Sequence, residues 1–326
     1  MLIRNCGRTF SIVGGRRSGE GSAVGDAVKE IVSVSLGSSR RDADVETEAG
    51  GFRLHIRRIG TDGDVDRAIA IVRELDATVD CFGIGGADRY LVAGNRRYEV
   101  VAMGKLARAA EHAPVVDGSG FKEVLEPYLL RRLVEQGQLD LKDKETLLVS
   151  AVDRPGMARV LPQLGARVTY GDLIFALGVP LPVRSLRVIS LLGFLVLPVI
   201  RRLPMSVVYP TGAKQESSVA KYGKYFHRAQ IVAGDFHFIR RYLPPDMDGR
   251  TVITNTITAE DVELLRSAGV KKLVTTTPAF GERSFGTNVM EATLVAVSGR
   301  RPEDLSGQDY LDLLERLGLS PRVVEL

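Results

Sequence analysis

The stretch TLLVSAVDRPGMARVLPQLGARVTYGD, residues 146–172, contains the pattern that decides the fold. Residues 146–152 predict a strand, 154–164 have helical spacing, and 167–170 predict a second strand. A strand, a helix and a further strand in this order form the unit from which parallel sheets are built. Further strands are predicted at 230–233, 251–254 and 272–275. The alternation predicts a Rossmann-like, doubly wound parallel sheet.

A similar alternation precedes this stretch. Its predicted strands are 31–36, 52–59, 79–84 and 114–116. The polar segment 137–144 separates the two patterns. We therefore predict an α/β fold with two α/β units. Residues 1–28 are expected to be a flexible tail, 29–140 an N-terminal α/β substrate domain, and 141–326 a Rossmann-like domain with C-terminal helices.

Composition limits the class of partner. The 326 residues carry 44 basic and 40 acidic side chains, and this surplus is too small to indicate nucleic acid. Two cysteines and no secretory apolar region favour the cytoplasm. The longest apolar run, Val188 to Ile200, is shorter than a membrane span and predicts a buried crossover helix, with an interfacial helix as the alternative. We expect no membrane partner and allow for a homo-oligomer.

Residues after the first strand of the second unit occupy the place of a dinucleotide fingerprint. Ligands of open parallel sheets bind outside the carboxyl ends of the strands. The candidates here are Asp153, Arg154, Gly156 and Met157, although a full fingerprint has three glycines. Asp172 lies where a carboxylate accepts ribose hydroxyls, which slightly favours NAD over NADP. Capping of helices by Asp153 and Asp172 is the alternative.

Other cofactor-binding candidates follow later strands or precede a helix. They are Asn255, Thr256, Thr277, Thr287 and Asn288. Thr287 and Asn288 lie where free backbone N–H groups at a helix start favour anions. An ordinary N-cap at either residue is the alternative.

Candidate catalytic residues lie in Gly- and Asp-containing loops. Asp117 and Lys122 form the expected acid/base pair, since a lysine beside a carboxylate can hold a hydroxyl proton. Asp88 follows a second glycine-rich loop, and His237 follows a strand directly. Turn formation and a packed histidine are the alternatives. The four histidines lack metal-ligand spacing, so we predict no metal site.

Four segments resemble a bacterial group described as quinate or shikimate 5-dehydrogenase-like. They are Ser33–Ser38, Pro114–Gly120, Ala233–Arg241 and Arg283–Ala292. The resemblance implies an NAD(P)-linked oxidation of a cyclic polyol acid, with a Lys/Asp pair in the first domain and a Rossmann second domain. The glycine-rich GAGG-type turn and the Asn-Arg-Thr cofactor segment of established shikimate dehydrogenases are missing from this sequence.

Three functions remain open at this point. The leading one is an NAD(P)-dependent oxidoreductase of a small hydroxylated acid. The second is a non-catalytic ligand-binding or regulatory protein that keeps an α/β cleft. The third is a transferase or hydrolase of an anionic small molecule.

Overall fold

The computed structural model describes residues 27–203, 221–255, 257–277, 279–280, 283–319 and 322–326. Thr256, one of the cofactor-binding candidates, lies outside them.

The first unit is built around a five-stranded sheet. Its elements are β1 (Lys29–Ser35), β2 (Ala43–Ala49), β3 (Phe52–Gly60), α1 (Val65–Leu75), β4 (Cys81–Gly85), β5 (Tyr90–Ala93), β6 (Arg96–Glu99), α2 (Val101–Ala107), β7 (Val115–Val116) and α3 (Ser119–Glu135). The core strand β1 has five consecutive buried residues, as expected for a strand that is covered on both faces.

The second unit is built around a six-stranded sheet. Its elements are β8 (Glu145–Leu148), α4 (Pro155–Gln163), β9 (Arg167–Tyr170), a π-helical turn (Asp172–Ala176), α5 (Leu186–Ile200), α6 (Gly223–Arg228), β10 (Ile231–Ala233), α7 (Phe236–Tyr242), β11 (Thr251–Thr254), α8 (Ala259–Ser267) and β12 (Lys272–Thr275). After β12 come β13 (Ala279–Phe280), β14 (Arg283–Ser284), α9 (Thr287–Ser298), α10 (Gly307–Arg316) and β15 (Arg322–Glu325).

Both sheets reverse their strand order near the middle. The first runs β2-β3-β1-β4-β7 and the second β15-β12-β11-β10-β8-β9. All neighbours are parallel except the edge strands β2 and β15. The second unit is therefore a doubly wound parallel sheet, as predicted. The two switch points, between β1 and β4 and between β8 and β10, are the places where such sheets bind ligands.

The C-terminal helices lie on the first sheet and not on the second, with which the sequence analysis grouped them. Helix α9 packs against β1, β4 and α3, and α10 packs against α3. Helix α9 is buried almost all round, and its apolar residues Val289, Met290 and Leu294 join the core of the first unit. The chain then returns to the second sheet as β15, so residues 141–326 do not form one contiguous unit.

Helix α5 connects the two units. Gly193 lies so close to Ala93 of β5 that a Cβ atom at this glycine would stand 2.6 Å from the alanine Cβ. The buried crossover helix expected here is buried on one face only, with Ile189, Gly193 and Leu197 inside. No helix within the described residues is long and apolar enough to cross a membrane.

Candidate functional site

A cleft of about 940 Å³ lies where the carboxyl ends of the two sheets meet. Loops after β1 and β4 line one side, and loops after β8 and β10 line the other. Nine of the predicted site residues line it, namely Asp88, Asp117, Lys122, Asp153, Arg154, His237, Asn255, Thr287 and Asn288. The topology thus brings residues distant in the chain to one place.

Lys122 forms the centre of the cleft floor. Its ammonium group, on the first turn of α3, lies 2.7 Å from Asp88 Oδ1 and 3.5 Å from Asp153 Oδ1. Burial opposes the charge on Lys122, but the two carboxylates raise its pKa. Burial and the neighbouring Asp153 raise the pKa of Asp88 well above its ordinary value. The Asp88 Oδ2 atom is buried and has no hydrogen-bond partner among the described residues.

Arg154 ties the floor to the second sheet. This side chain is 1% exposed, and its guanidinium donates to Glu126 Oε1, to Asp153 Oδ2 at 3.3 Å and to Asp235 Oδ2 at 2.8 Å. Burial opposes ionisation of Asp153, but Lys122 and Arg154 together lower its pKa. Burial raises the pKa of Glu126. The floor therefore combines two cations with four carboxyl groups, of which burial raises the pKa of Asp88 and Glu126, whereas the neighbouring cations lower the pKa of Asp153 and Asp235.

Asp117 does not form the pair with Lys122 that the sequence predicted. Its Oδ2 accepts from the backbone N–H of Arg89 at 2.8 Å, and its Oδ1 accepts from the Ser119 backbone N–H and hydroxyl. These bonds fix the start of α3, which carries Lys122. The partners of Lys122 are Asp88 and Asp153, so the predicted acid/base pair is replaced by this three-residue group.

The loop after β8, which the sequence analysis placed at the position of a dinucleotide fingerprint, contributes several of its residues to packing and not to the cleft. Gly156 faces α3, where a Cβ atom would lie 3.2 Å from Pro127 Cδ, and Met157 is fully buried in the core. Asp172 accepts from the backbone N–H groups of Ala151 and Val152. Gly156, Met157 and Asp172 do not line the cleft. Burial raises the pKa of Asp172 to about 6.

Of the other predicted polar residues, Asn255, Thr287 and Asn288 line the cleft, whereas Thr277 does not. Asn255 donates to Asp235 Oδ2 at 2.8 Å, and Asn288 donates to the Ser33 hydroxyl at 2.9 Å across the first sheet. Thr287 is buried at the start of α9 and lines the cleft. Thr277 is buried outside the cleft lining, and its hydroxyl has no hydrogen-bond partner among the described residues.

Cationic residues that the sequence analysis did not select form a wall of the cleft. They are Arg40, Arg41, Arg58, Arg240 and Arg241. His237 Nε2 lies 3.2 Å from the Arg41 guanidinium, and burial lowers the pKa of this histidine. Arg240 is paired with Asp261 at 2.7 Å. The Arg241 Nε atom is buried without a hydrogen-bond partner among the described residues. Arg40 and Arg41 lie in the loop that follows β1, so the strand-end rule used elsewhere would have selected them.

Glu291 is a further residue that the sequence analysis missed. From α9 it accepts the backbone N–H of Gly118 at 2.7 Å and the Tyr310 hydroxyl at 3.0 Å. Gly118 has a φ of +86° and packs so closely on α9 that no Cβ atom fits. Burial raises the pKa of Glu291 to about 7. Glu291 therefore holds the loop that leads from β7 to Lys122.

Within the described residues, no group of three or more His, Cys, Asp or Glu side chains is placed to hold a metal ion. The carboxyl groups of the floor are engaged by Lys122 and Arg154 instead.

Family comparisons divide the chain at almost the same place as the two sheets. Residues 120–326 match a family model described as a domain of unknown function (DUF8754), and residues 30–117 match one described as a domain of unknown function (DUF8753). None of the curated proteins compared with the chain matches it in sequence.

Comparison with solved structures finds matches of low similarity. A sugar ABC transport substrate-binding protein from Bordetella parapertussis 12822 is 13% identical, with a TM-score of 0.39 over 87% of this chain and 85% of its own. The arabinose binding protein AraP from Geobacillus stearothermophilus is 11% identical, with a TM-score of 0.39 over 92% and 97%. An NAD-dependent malic enzyme from Thermotoga maritima is 10% identical, with a TM-score of 0.32 over 89% and 85%. Likeness at this level says nothing about the ligand of this chain.

Proposed function

The chain belongs to the family of the domain of unknown function DUF8754, and we propose that this protein binds a small hydroxylated acid between its two units and performs acid–base chemistry on it. The observation that carries the proposal is the group Lys122, Asp88 and Asp153, placed where the carboxyl ends of both sheets meet.

Asp88 is the residue that would contact a hydroxyl group of the ligand. Its Oδ2 atom lacks a partner among the described residues, and a buried polar atom of this kind is costly unless something bonds to it. The Oδ2 atom can accept a hydrogen bond from a ligand hydroxyl. Asp117 is less suited to this role because three donors within the chain already use its oxygen atoms.

Arg241 would contact the acidic group of the ligand. It lines the cleft, stacks over the Tyr242 ring at 5.5 Å and has a buried, unpartnered Nε atom. A planar guanidinium binds a carboxylate through two parallel hydrogen bonds. The arginine wall and the Asp88 side of the cleft thus fit the two ends of a hydroxylated acid.

Acid–base work follows from the neighbours of Asp88. Lys122 and Asp153 adjoin it, and the three groups together can hold a proton removed from a ligand hydroxyl or supply one to a ligand oxygen. Lys122 acts here as a cation that stays charged, because the two carboxylates raise its pKa.

Calorimetric titration with quinate and with cyclohexanecarboxylate tests the binding proposal. The two acids differ in their hydroxyl groups. A cleft that forms hydrogen bonds to these groups should bind quinate with a dissociation constant below about 1 mM, and at least about tenfold more tightly than cyclohexanecarboxylate. Asp88→Asn should weaken quinate binding, and Asp66→Asn, at an exposed position of α1, serves as the control. Equal affinity for both acids, or no binding of quinate and related polyol acids, would contradict the proposal.

An NAD(P)-dependent oxidation is the specific reaction that we propose for this site. The observation in its favour is the cleft volume of about 940 Å³, near the upper end of about 300–1,000 Å³ for ligand sites, which leaves room for a second ligand beside a small acid. The loop after β8 is not where a pyrophosphate would lie, because Asp172 already uses the N–H groups of Ala151 and Val152.

Titration with NADH and NADPH, followed by nicotinamide fluorescence, tests this reaction separately. Binding of either at millimolar concentration and quinate-dependent reduction of the oxidised form are the expected results. If quinate binds but neither cofactor does, the protein is a binding protein or a catalyst of another class, and the oxidoreductase proposal is wrong.

A further inference from the structure

Exposed apolar side chains are concentrated in one segment of the molecule. Ten large apolar residues are exposed among the described residues, and eight of them lie between residues 177 and 203. These are Leu177, Val179, Leu181, Val188, Leu191, Leu195, Val199 and Leu203. Scattered exposed leucines are normal in proteins, but a continuous group marks an interaction surface.

Helix α5 presents four of these residues along one face. Val188, Leu191, Leu195 and Val199 recur at helical spacing, and their exposed fractions lie between 44% and 70%. The opposite face is buried, with Ile189 in the core of the second unit and with Gly193 and Leu197 against the first unit. We call the exposed row the α5 face.

The stretch of sequence that contains α5 carries charge of one sign only. Residues 173–215 contain no Asp or Glu, whereas the whole chain has one acidic residue in about eight. The same stretch contains five basic residues, Arg184, Arg187, Arg201, Arg202 and Lys214. Arg187 and Arg202 are exposed at the two ends of α5. An apolar row with cations at both ends is complementary to a surface that is apolar inside and anionic outside.

Helix length determines how α5 would meet such a surface. Its 15 residues span about 22 Å, which is less than the hydrocarbon thickness of about 30 Å. One face of the helix is also held by the protein. The helix can therefore lie only in the plane of the interface, with the α5 face among the acyl chains and the arginines at the headgroups.

We propose that the α5 face binds the surface of an anionic phospholipid membrane. Pairing with a second copy of this chain is disfavoured by the same charges. An antiparallel pair of α5 helices would bring Arg187 of one copy to Arg202 of the other, and a parallel pair would bring each arginine to its equivalent. An anionic lipid surface neutralises all of them at once.

Sedimentation with vesicles tests this proposal. The full chain should sediment with vesicles of phosphatidylcholine and phosphatidylglycerol, and not with phosphatidylcholine alone, and salt should weaken the binding. The double variant Leu191→Gln, Leu195→Gln should lose binding by about tenfold or more, since both side chains are exposed in the free protein and would be buried in the lipid. Leu264→Gln, at an exposed leucine of α8, is the matched control.

Variants of the two arginines measure the electrostatic contribution to vesicle binding. Arg187→Gln and Arg202→Gln should each weaken vesicle binding by about fivefold, whereas Arg159→Gln, at an exposed arginine of α4, should not. Unchanged circular dichroism in all variants confirms that they fold. The proposal is overturned if anionic vesicles do not bind, if neutral vesicles bind equally, or if the chain is a dimer that the leucine variants dissociate.

Discussion

The two sheets have the same architecture at the cleft, but the residues at their switch points differ. At the first switch point, the lining is small and uncharged, with Ser33, Ser35, Gly85 and Gly86. At the second, Asp153, Arg154 and Asp235 form a buried ion network. Both units therefore supply charges to the cleft, but those of the second unit form one buried ion network around Arg154, whereas the first unit contributes Asp88 and Lys122 to the floor and Arg40, Arg41 and Arg58 to the wall.

Removing Arg154 is the strongest test of this difference. Arg154→Met leaves Glu126, Asp153 and Asp235 without their shared cation, and the free energy of unfolding should fall by about 3–5 kcal/mol in urea titrations. Arg167→Met, which removes an exposed pair with Asp143, should cost less than about 1 kcal/mol. Similar losses in both variants would show that the buried network does not stabilise the second switch point.

Two buried carboxyl groups, one beside each sheet, predict the same pH dependence of the protein's stability. Glu291 and Asp172 each accept backbone N–H groups of a cleft loop, and burial raises their pKa values to about 7 and about 6. The folded chain therefore binds these protons more tightly than the unfolded chain, so its stability falls as the pH rises from about 4 to about 7.

Amide variants measure this effect at each sheet. Glu291→Gln and Asp172→Asn keep an acceptor oxygen but cannot ionise. Between about pH 4 and about pH 7, the free energy of unfolding of each variant should therefore fall by less than that of the wild type, and the difference should be on the order of 2–3 kcal/mol. Asp66→Asn, at an exposed position, should leave the profile unchanged. A profile of Glu291→Gln that superimposes on that of the wild type would contradict the assigned role.

Ligand binding should distinguish the roles of Asp88 and Asp117, two carboxyl groups of the first unit that line the cleft. Lys122→Met combined with Asp88→Asn removes the cation together with one carboxyl partner, and we expect quinate affinity to fall by about 10- to 100-fold in calorimetry. Asp117→Asn should lower stability more than affinity, because its carboxylate bonds only within the chain. Equal affinity losses in both would favour the pairing of Asp117 with Lys122 that the sequence predicted.

The arginine wall should give the smallest effect. Arg241→Gln should lower the affinity for the acid by about fivefold to tenfold and reduce the salt dependence of binding, since one cation near the ligand is lost. Arg159→Gln provides the control at an exposed position. Unchanged affinity and salt dependence in the Arg241 variant would place the acidic group of the ligand elsewhere.

Much of the strand pattern was predictable from the sequence. The strands at Thr251–Thr254 and Lys272–Thr275 have the predicted bounds, because each is a short run in which three of four residues are buried. The edge strand Arg167–Tyr170, with two buried residues, also has the predicted bounds. Strand β2 was missed, since Ala43–Ala49 is an acidic edge strand with exposed and half-buried residues in alternation. Strand β2 has no buried residue and therefore lacks the apolar run by which the other strands were predicted.

The central contacts of the site could not be predicted in the same way. Lys122 and Asp153 are 31 residues apart and belong to different units. They meet because Gly156 lets α4 pack closely on α3, a contact that no local pattern encodes. Strand ends indicated most of the lining, but the partners of each charge depend on how helices pack.

A crystal structure of the protein with the hydroxylated acid that binds most tightly in calorimetry tests the central claim most directly. The account predicts density in the cleft, with a ligand hydroxyl within hydrogen-bonding distance of Asp88 and the ligand carboxylate against Arg241. An empty cleft with density at another site, or a ligand that contacts neither residue, would contradict it.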